Sequence, residues 1–384
     1  MSHPPRRTLA MWRALLIAIA AVWLRPSDGV AQACRDSGAA FRRIIGEFQS
    51  RQRNVALVAA VLRDGHLVFN EASGLADREA GIAATVDTRF GIASVTKAFT
   101  GAALLKLYQE GRINLDTEIQ RYVPEFPRHP QGRVTIRELA AHLGGIRHWG
   151  PERDSALYAR HFDNVLDILP LFRDSPFVAP PDTRYSYSSY GYNLLAMAIQ
   201  QAAGMPFQRY LDSAVLRPLH LASVAFDQPG LDGRARPARY SWYDLKDYHL
   251  LTGAPVRVPD WDYSHNTAGG NLVATAADLV RFARALRRPG FLSDSALALL
   301  WRRPVIGGVE SRMSFGWFVR EGTPRLAING SNPGLQAGVA VWRDEDIAVA
   351  VIANSWGIDS RSGELMDDSE SGLIGRLVGV CRDR

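Results

Sequence analysis

The sequence predicts an α+β fold: an antiparallel sheet built from both chain ends and flanked by helices, with a mostly helical subdomain inserted in the middle. Three observations carry that expectation. Strand signals fall early, between Val55 and Phe69, helical periodicity dominates from about 100 to 300, and strand signals return from Phe315 to Ala353. At 384 residues and 47% apolar composition the chain suits one large domain or two intimate subdomains, and a disordered or fibrous protein is excluded. The pattern divides it into a sheet subdomain over about 35–100 and 300–384 and a helical subdomain over about 101–299.

In chain order, Phe41 to Phe48 reads as a short amphipathic helix. Val55 to Leu62 and Leu67 to Phe69 read as two strands, joined at Asp64-Gly65 by a tight hairpin. From Val95 to Tyr108 nearly every residue is apolar, which predicts a helix buried on most sides, with Ser94 at its start. Further helices are expected at Phe207 to Leu216 and Thr275 to Leu286. Phe315 to Val319, Val339 to Trp342 and Ile347 to Ala353 read as strands, and a last helix runs from about Ser371 to Val378.

At the N-terminus, Arg6, Arg7 and Arg13 precede an apolar run from Ala14 to Leu24, and Ala31-Gln32-Ala33 fits the small-x-small rule of signal peptidase. The run, about eleven residues, is short for a bilayer span. A signal peptide over 1–33, cleaved before Cys34, is therefore favoured over an uncleaved anchor, leaving a 34–384 domain that is periplasmic or secreted. Acylation of Cys34 is the weaker alternative, because Ala31 stands where lipoprotein signals carry a larger aliphatic residue. No later segment reads as transmembrane. Cys34 and Cys381 are the only cysteines, and in an exported chain such a pair suggests a disulfide tying the termini, provided the two ends meet. Losing four arginines and one aspartate with the leader takes the formal charge from +6 to +3. The remaining arginines are interspersed with acids, so nucleic-acid binding has no support.

Of the forty-five basic side chains only three are lysines, and one of them, Lys97, follows Ser94 by three positions. Arginine keeps its proton at any pH a protein tolerates, whereas lysine loses it when desolvated. On a helix, positions i and i+3 share a face, so the Lys97 amine can point at Ser94 Oγ. A helix start also supplies positive backbone potential that favours developing negative charge. A neutral Lys97 can then accept the serine proton, the logic of an activated nucleophile.

The stretch Thr88-Arg89-Phe90-Gly91-Ile92-Ala93-Ser94-Val95-Thr96-Lys97-Ala98-Phe99-Thr100 resembles the first motif of the serine β-lactamase and penicillin-binding-protein superfamily, in its class C-like branch. The resemblance continues through Glu110 to Asp116, Tyr122-Val123-Pro124 and Val134 to Leu139, and covers nearly all of the chain after the leader. His142-Leu143-Gly144-Gly145-Ile146-Arg147-His148 is similar to the family's His-Thr-Ser-Gly-Ile loop, departing from it at Leu143 and Gly144. Its trailing Arg-His resembles the mitochondrial β-lactamase-like branch. His142 is read as structural. The resemblance implies a β-lactamase/transpeptidase-like fold and an acyl-enzyme mechanism.

Tyr185 to Tyr192 contains the family's Tyr-x-Asn pattern as Tyr187 and Ser189, which places the Tyr187 hydroxyl beside Ser94 and Lys97 as a proton shuttle. Serine at 189 keeps a hydrogen-bonding group but loses the forked donor and acceptor of an amide. The third motif, Lys-Thr-Gly or His-Ser-Gly in relatives, here reads Ile328-Asn329-Gly330, followed by an intact Ser331-Asn332-Pro333-Gly334. The backbone N–H groups of Ser94 and Ser331 can still form an oxyanion hole, since that needs only geometry. What is missing is the cation that would pair with a substrate carboxylate. Ala268-Gly269-Gly270 matches the loop lining the family's cleft, with Gly269 and Gly270 permitting close backbone approach. Trp261, Tyr263 and His265 are either a cleft wall or surface-loop aromatics.

The implied function is an exported serine hydrolase that forms and hydrolyses an acyl-enzyme on ester, amide or peptide substrates. Its partner is a small-molecule or peptide substrate. The alternatives are a β-lactamase or D-Ala carboxypeptidase acting on peptidoglycan-type substrates, and a noncatalytic binding or scaffold descendant. Other serine hydrolases are disfavoured because the sequence has no Gly-x-Ser-x-Gly elbow, and metal catalysis because its nine histidines lack metal-ligand spacing; no cofactor is expected either.

Overall fold

A computed structural model describes residues 32–228, 236–320, 322–358 and 371–382, so the leader's basic and apolar stretches lie outside the described residues. The first long elements are helix α1 (Gly38–Gln52), strand β1 (Ala56–Arg63) and strand β2 (His66–Asp77), the two strands turning at Asp64-Gly65. With β3 (Ile82–Ala83), β4 (Met313–Ser314), β5 (Trp317–Val319), β6 (Arg325–Asn332), β7 (Leu335–Trp342) and β8 (Ile347–Ala353), they make one eight-stranded sheet in the order β4-β5-β6-β7-β8-β1-β2-β3. Every pairing in it is antiparallel. The chain's two ends meet at β1 and β8, where Leu57 pairs with Ala353 and Arg63 with Ile347.

Alternation along these strands gives the sheet two buried faces. Leu57, Ala59, Val61, Val349 and Val351 pack with Phe41, Ile44 and Phe48 of α1 and with Leu377 and Val378 of the last helix, α5 (Leu373–Arg382). Val58, Ala60, Leu62, Ala348 and Ile352 face the other way, into the larger core formed with the middle of the chain. Cys34 and Cys381 are disulfide-bonded beneath the first face, with Cα atoms 4.8 Å apart. Among the described residues no helix is long and apolar enough to cross a membrane.

The middle holds α2 (Thr96–Gln109), α3 (Ser189–Ala203) and α4 (Ala276–Ala285). Two features differ from the expected division. Strands of two or three residues pair Phe90–Gly91 and Ala225–Phe226 with Leu272–Ala274, and Arg239–Ser241 with Val256–Val258; such segments are too short to display a period of two. And α4, inside the expected helical subdomain, packs its Leu279, Val280 and Phe282 stripe against β1, β7 and β8. The helix expected from Phe207 to Leu216 is α-helical only to Leu211 and continues as a π turn over Asp212–Leu216.

A short helix over Ile136–Ala140 starts with a reciprocal cap, in which Thr135 Oγ1 accepts from Glu138 N and Glu138 Oε2 accepts from Thr135 N. Burial, with Asp182 alongside, raises the Glu138 carboxyl to about 7. A carboxyl whose folded value is raised contributes stability below its unfolded value, and loses it as pH rises through about 7. Glu138→Gln keeps the cap and removes that loss. It is expected to stabilise the protein by about 1 kcal/mol at pH 8 and to make no difference at pH 4, read from thermal midpoints at the two pH values.

Candidate active site

Ser94 sits in a 3₁₀ turn, Ala93–Val95, that leads directly into α2. The turn is held where Ile92 N donates to Leu272 O, and Ala93 adopts φ +43°, a left-handed conformation uncommon for a residue with a side chain. Lys97, in the first turn of α2, is completely buried. Its Nζ lies 3.2 Å from Ser94 Oγ, 3.1 Å from Ser189 Oγ and 2.6 Å from Gly269 O. Tyr187 Oη donates to Ser94 Oγ at 2.7 Å. Ser94, Lys97, Tyr187 and Ser189, scattered over almost a hundred positions, thus share one hydrogen-bonded cluster.

Among the described residues no carboxylate forms an ion pair with Lys97, and its burial alone lowers the amine to about 7. Burial pushes the Tyr187 phenol the other way, up from its ordinary value, although Ser94 partly offsets this. Lys97 is therefore the member of the pair able to hold a lone pair near neutrality, and Tyr187 remains a donor. A neutral Lys97 can donate to Ser189 Oγ and Gly269 O while accepting from Ser94 O–H. Serine's oxygen would then receive from Tyr187 and give to Lys97, a consistent orientation throughout.

Two histidines support the phenol. His142 Nδ1 accepts from Ser188 N at 3.1 Å, and its ring packs 4.5 Å from that of Tyr187. Burial first, and then Lys97, holds it well below the ordinary histidine value. His148 Nδ1 accepts from Ser189 N at 3.1 Å and presents its edge to Tyr187. Arg147, clamped on Asp154 at 2.8 Å and stacked over Tyr190, fixes the loop that carries His148.

The glycines show why side chains are absent. A Cβ on Gly330 would lie 2.3 Å from Ile92 O and 2.6 Å from Ser94 N, so β6 can run against the serine turn only with glycine there. That approach brings Ser331 into the cleft beside Ser94, where Trp356 Nε1 donates to Ser331 Oγ at 2.9 Å. Gly269 and Gly270 lie beneath the Asn266 amide, and Gly269 supplies the carbonyl that receives Lys97. Every residue singled out in the sequence as catalytic or oxyanion-forming therefore lies in this one region.

A family model described as Beta-lactamase matches residues 41–367. The chain belongs to the Beta-lactamase family. Within that family it is 29% identical over 374 residues to Esterase EstB of Burkholderia gladioli, covering 86% of this chain and 91% of the relative. It is 26% identical over 328 residues to the mitochondrial Serine beta-lactamase-like protein LACTB of Homo sapiens, covering 64% of this chain and 58% of that protein. The fold also matches a solved structure of D-amino acid amidase from Ochrobactrum anthropi SV3, with a TM-score of 0.74, 21% identity and coverage of 90% of this chain and 99% of the other. Membership of that family, together with the esterase likeness over most of both chains, makes this chain a serine hydrolase of the Beta-lactamase family.

The departure from the family pattern is visible in three dimensions. Ile328 is buried in the core, and with Asn329 it borders a separate cavity of about 330 Å³ among Arg303, Arg312 and Arg325. The cleft over Ser94 encloses about 650 Å³. It is lined by a cluster of contacting rings, Trp149, Tyr158, Trp261, Tyr263 and His265, with Tyr158 and Trp261 stacked at 4.4 Å, and also by Leu245, Tyr248 and Trp356. Trp261, Tyr263 and His265 are thus cleft wall. Among the described residues no Lys, Arg, Asp or Glu lines this cleft. Sequence reasoning missed Trp149, Tyr158, Tyr248, Asn266 and Trp356, which reach the site from separate short segments without a shared motif, Tyr158 and Asn266 from 3₁₀ turns and Trp356 from a two-residue strand. The available signals were that Trp149 directly follows the recognised Arg147-His148 pair and that Asn266 stands two residues before Ala268-Gly269-Gly270.

Proposed function

We propose that the protein is an exported serine hydrolase that acylates at Ser94 and acts on uncharged ester, amide or peptide substrates. The observation that carries this reading is the placement of Ser94 Oγ between a buried, carboxylate-free Lys97 at 3.2 Å and the Tyr187 hydroxyl at 2.7 Å. Neutral Lys97 takes the Ser94 proton as Oγ bonds to the substrate carbonyl carbon, and the carbonyl electron pair moves onto oxygen. The N–H groups of Ser94 and Ser331 stabilise that oxyanion. As the tetrahedral adduct collapses, the bond to the leaving group breaks and Tyr187 gives it a proton, which Lys97 restores to the phenol. Water then attacks the acyl-enzyme, its proton returning through the same pair, and the acid is released with Ser94 regenerated.

Uncharged substrates are favoured because the family's third-motif cation is replaced by Ile328 and no charged side chain lines the cleft among the described residues. Export rests on the basic-then-apolar N-terminus and on the disulfide, which an oxidising compartment would preserve. A fluorophosphonate is expected to add one adduct per chain, located on Ser94 by intact mass and peptide mapping. No adduct on folded protein would favour the scaffold alternative. Short-chain nitrophenyl esters are expected to outpace a chromogenic cephalosporin, and the reverse order would restore the β-lactamase alternative.

A further inference from the structure

Ser189 occupies the place where relatives carry the asparagine of Tyr-x-Asn, and its Oγ already receives Lys97 Nζ at 3.1 Å. A hydroxyl committed to the lysine offers a substrate little. Directly across from it lies a carboxamide without an assigned task. Asn266 closes the turn Ser264–Asn266, just before Thr267–Gly270, and its backbone is fixed by Asn266 N donating to Tyr263 O at 2.8 Å. The preceding carbonyl, His265 O, accepts from Asn193 Nδ2 at 2.8 Å.

The side chain is laid over the paired glycines. A Cβ on Gly269 would fall 2.2 Å from Asn266 Oδ1 and 3.1 Å from Ser189 Cβ. One on Gly270 would fall 2.5 Å from Asn266 Nδ2 and 3.7 Å from the carbonyl carbon of Ala93. The amide therefore spans the ground between Ser189 and the turn that holds Ser94, and two glycines are needed to seat it. Asn266 lines the same cleft as Ser94, and its buried Oδ1 has no hydrogen-bond partner among the described residues. A buried amide oxygen left without a partner costs free energy, which a rotation of the side chain toward a ligand in the cleft would recover.

We propose that Asn266 is a specificity-determining substrate contact: its carboxamide pairs with an amide group flanking the scissile carbonyl, the task for which Ser189 is too short. An amide offers one acceptor and two donors in a fork, which matches the N–H and C=O of a substrate amide. The substrate class is then N-acylated amino acid esters or amides rather than simple alkyl esters. The inference rests on acyl transfer at Ser94.

The test is the ratio of kcat/KM for the nitrophenyl ester of N-acetylglycine to that of nitrophenyl butyrate, two acyl groups of similar reach. Asn266→Ala is expected to lower this ratio by about tenfold, chiefly through KM for the acetylglycyl ester. Asn266→Asp, close to isosteric and lacking the amide donors, is expected to lower it in the same direction. Adding Ser189→Asn to Asn266→Ala restores a fork from the opposite side and is expected to recover the ratio. A ratio unchanged in both single variants, with thermal midpoints near wild type, overturns the inference. Fluorophosphonate labelling separates the two levels: a labelled wild-type enzyme whose ratio ignores Asn266 refutes only this inference, whereas an unlabelled wild type refutes acyl transfer at Ser94 itself.

Discussion

Lys97→Arg is expected to lower kcat/KM on a neutral ester by about 10³-fold, nearly as far as Lys97→Ala, although arginine preserves the charge. The reason lies in burial. Lys97 has no exposed surface and forms no ion pair among the described residues, so desolvation brings its amine down to about 7. A guanidinium cannot make that transition, and it cannot serve as base for Ser94 Oγ 3.2 Å away. The same cause sets the pH dependence. If the working form is the neutral amine, as proposed, kcat/KM should climb about tenfold per pH unit at acid pH and level off above about 7. Tyr187, displaced upward by burial, stays protonated across that interval and adds no second limb near neutrality. Stopped assays of both variants against butyrate esters between pH 5 and 9 check this. If Lys97→Arg kept more than a tenth of wild-type activity, or if the wild-type profile were flat through pH 7, Lys97 would not be the base.

The reactive cluster was legible because its chemistry is local. Ser94 and Lys97 are three positions apart at a helix start, so one turn of backbone suffices to join them. Tyr187 required a second motif, and the step from Ser188, which caps α3 by accepting from Gly191 N, to Ser189 beside Lys97 follows from helix geometry. The sheet was legible for a comparable reason: β1 and β8 are long enough for their apolar runs to declare themselves, and Asp64-Gly65 marks the hairpin. The cleft walls were not. Trp149, Tyr158, Tyr248 and Trp356 come from short segments more than a hundred positions apart at their extremes, and no periodicity links them. Asn266 stands two residues before the recognised Ala268-Gly269-Gly270, yet only the folded chain shows that its amide lies against those glycines. The reactive cluster is thus written in short spacings, and the lining of the cleft in the packing of distant segments.

Removing the Cys34–Cys381 disulfide is expected to lower stability by about 2–5 kcal/mol while leaving ester hydrolysis close to wild type. The bond closes a loop of 347 positions, so opening it frees nearly the whole chain in the unfolded state. Both cysteines are buried with Phe41, Phe48, Leu377 and Val378 on one face of the sheet. Ala93 and Val95, which flank Ser94, belong to the core on the other face, so loosening α1 and α5 need not disturb the serine turn. Urea unfolding of a Cys34→Ala/Cys381→Ala variant, compared with the oxidised wild type, measures the stability term, and nitrophenyl ester turnover measures the rest. Equal midpoints would mean that the bond constrains nothing, and a parallel collapse of activity would mean that the two faces are coupled. The mass of the purified wild type adds a further discrimination: an acylated Cys34 could not form this bond, so an unmodified, thiol-free chain would rule out the lipid anchor and support passage through an oxidising compartment.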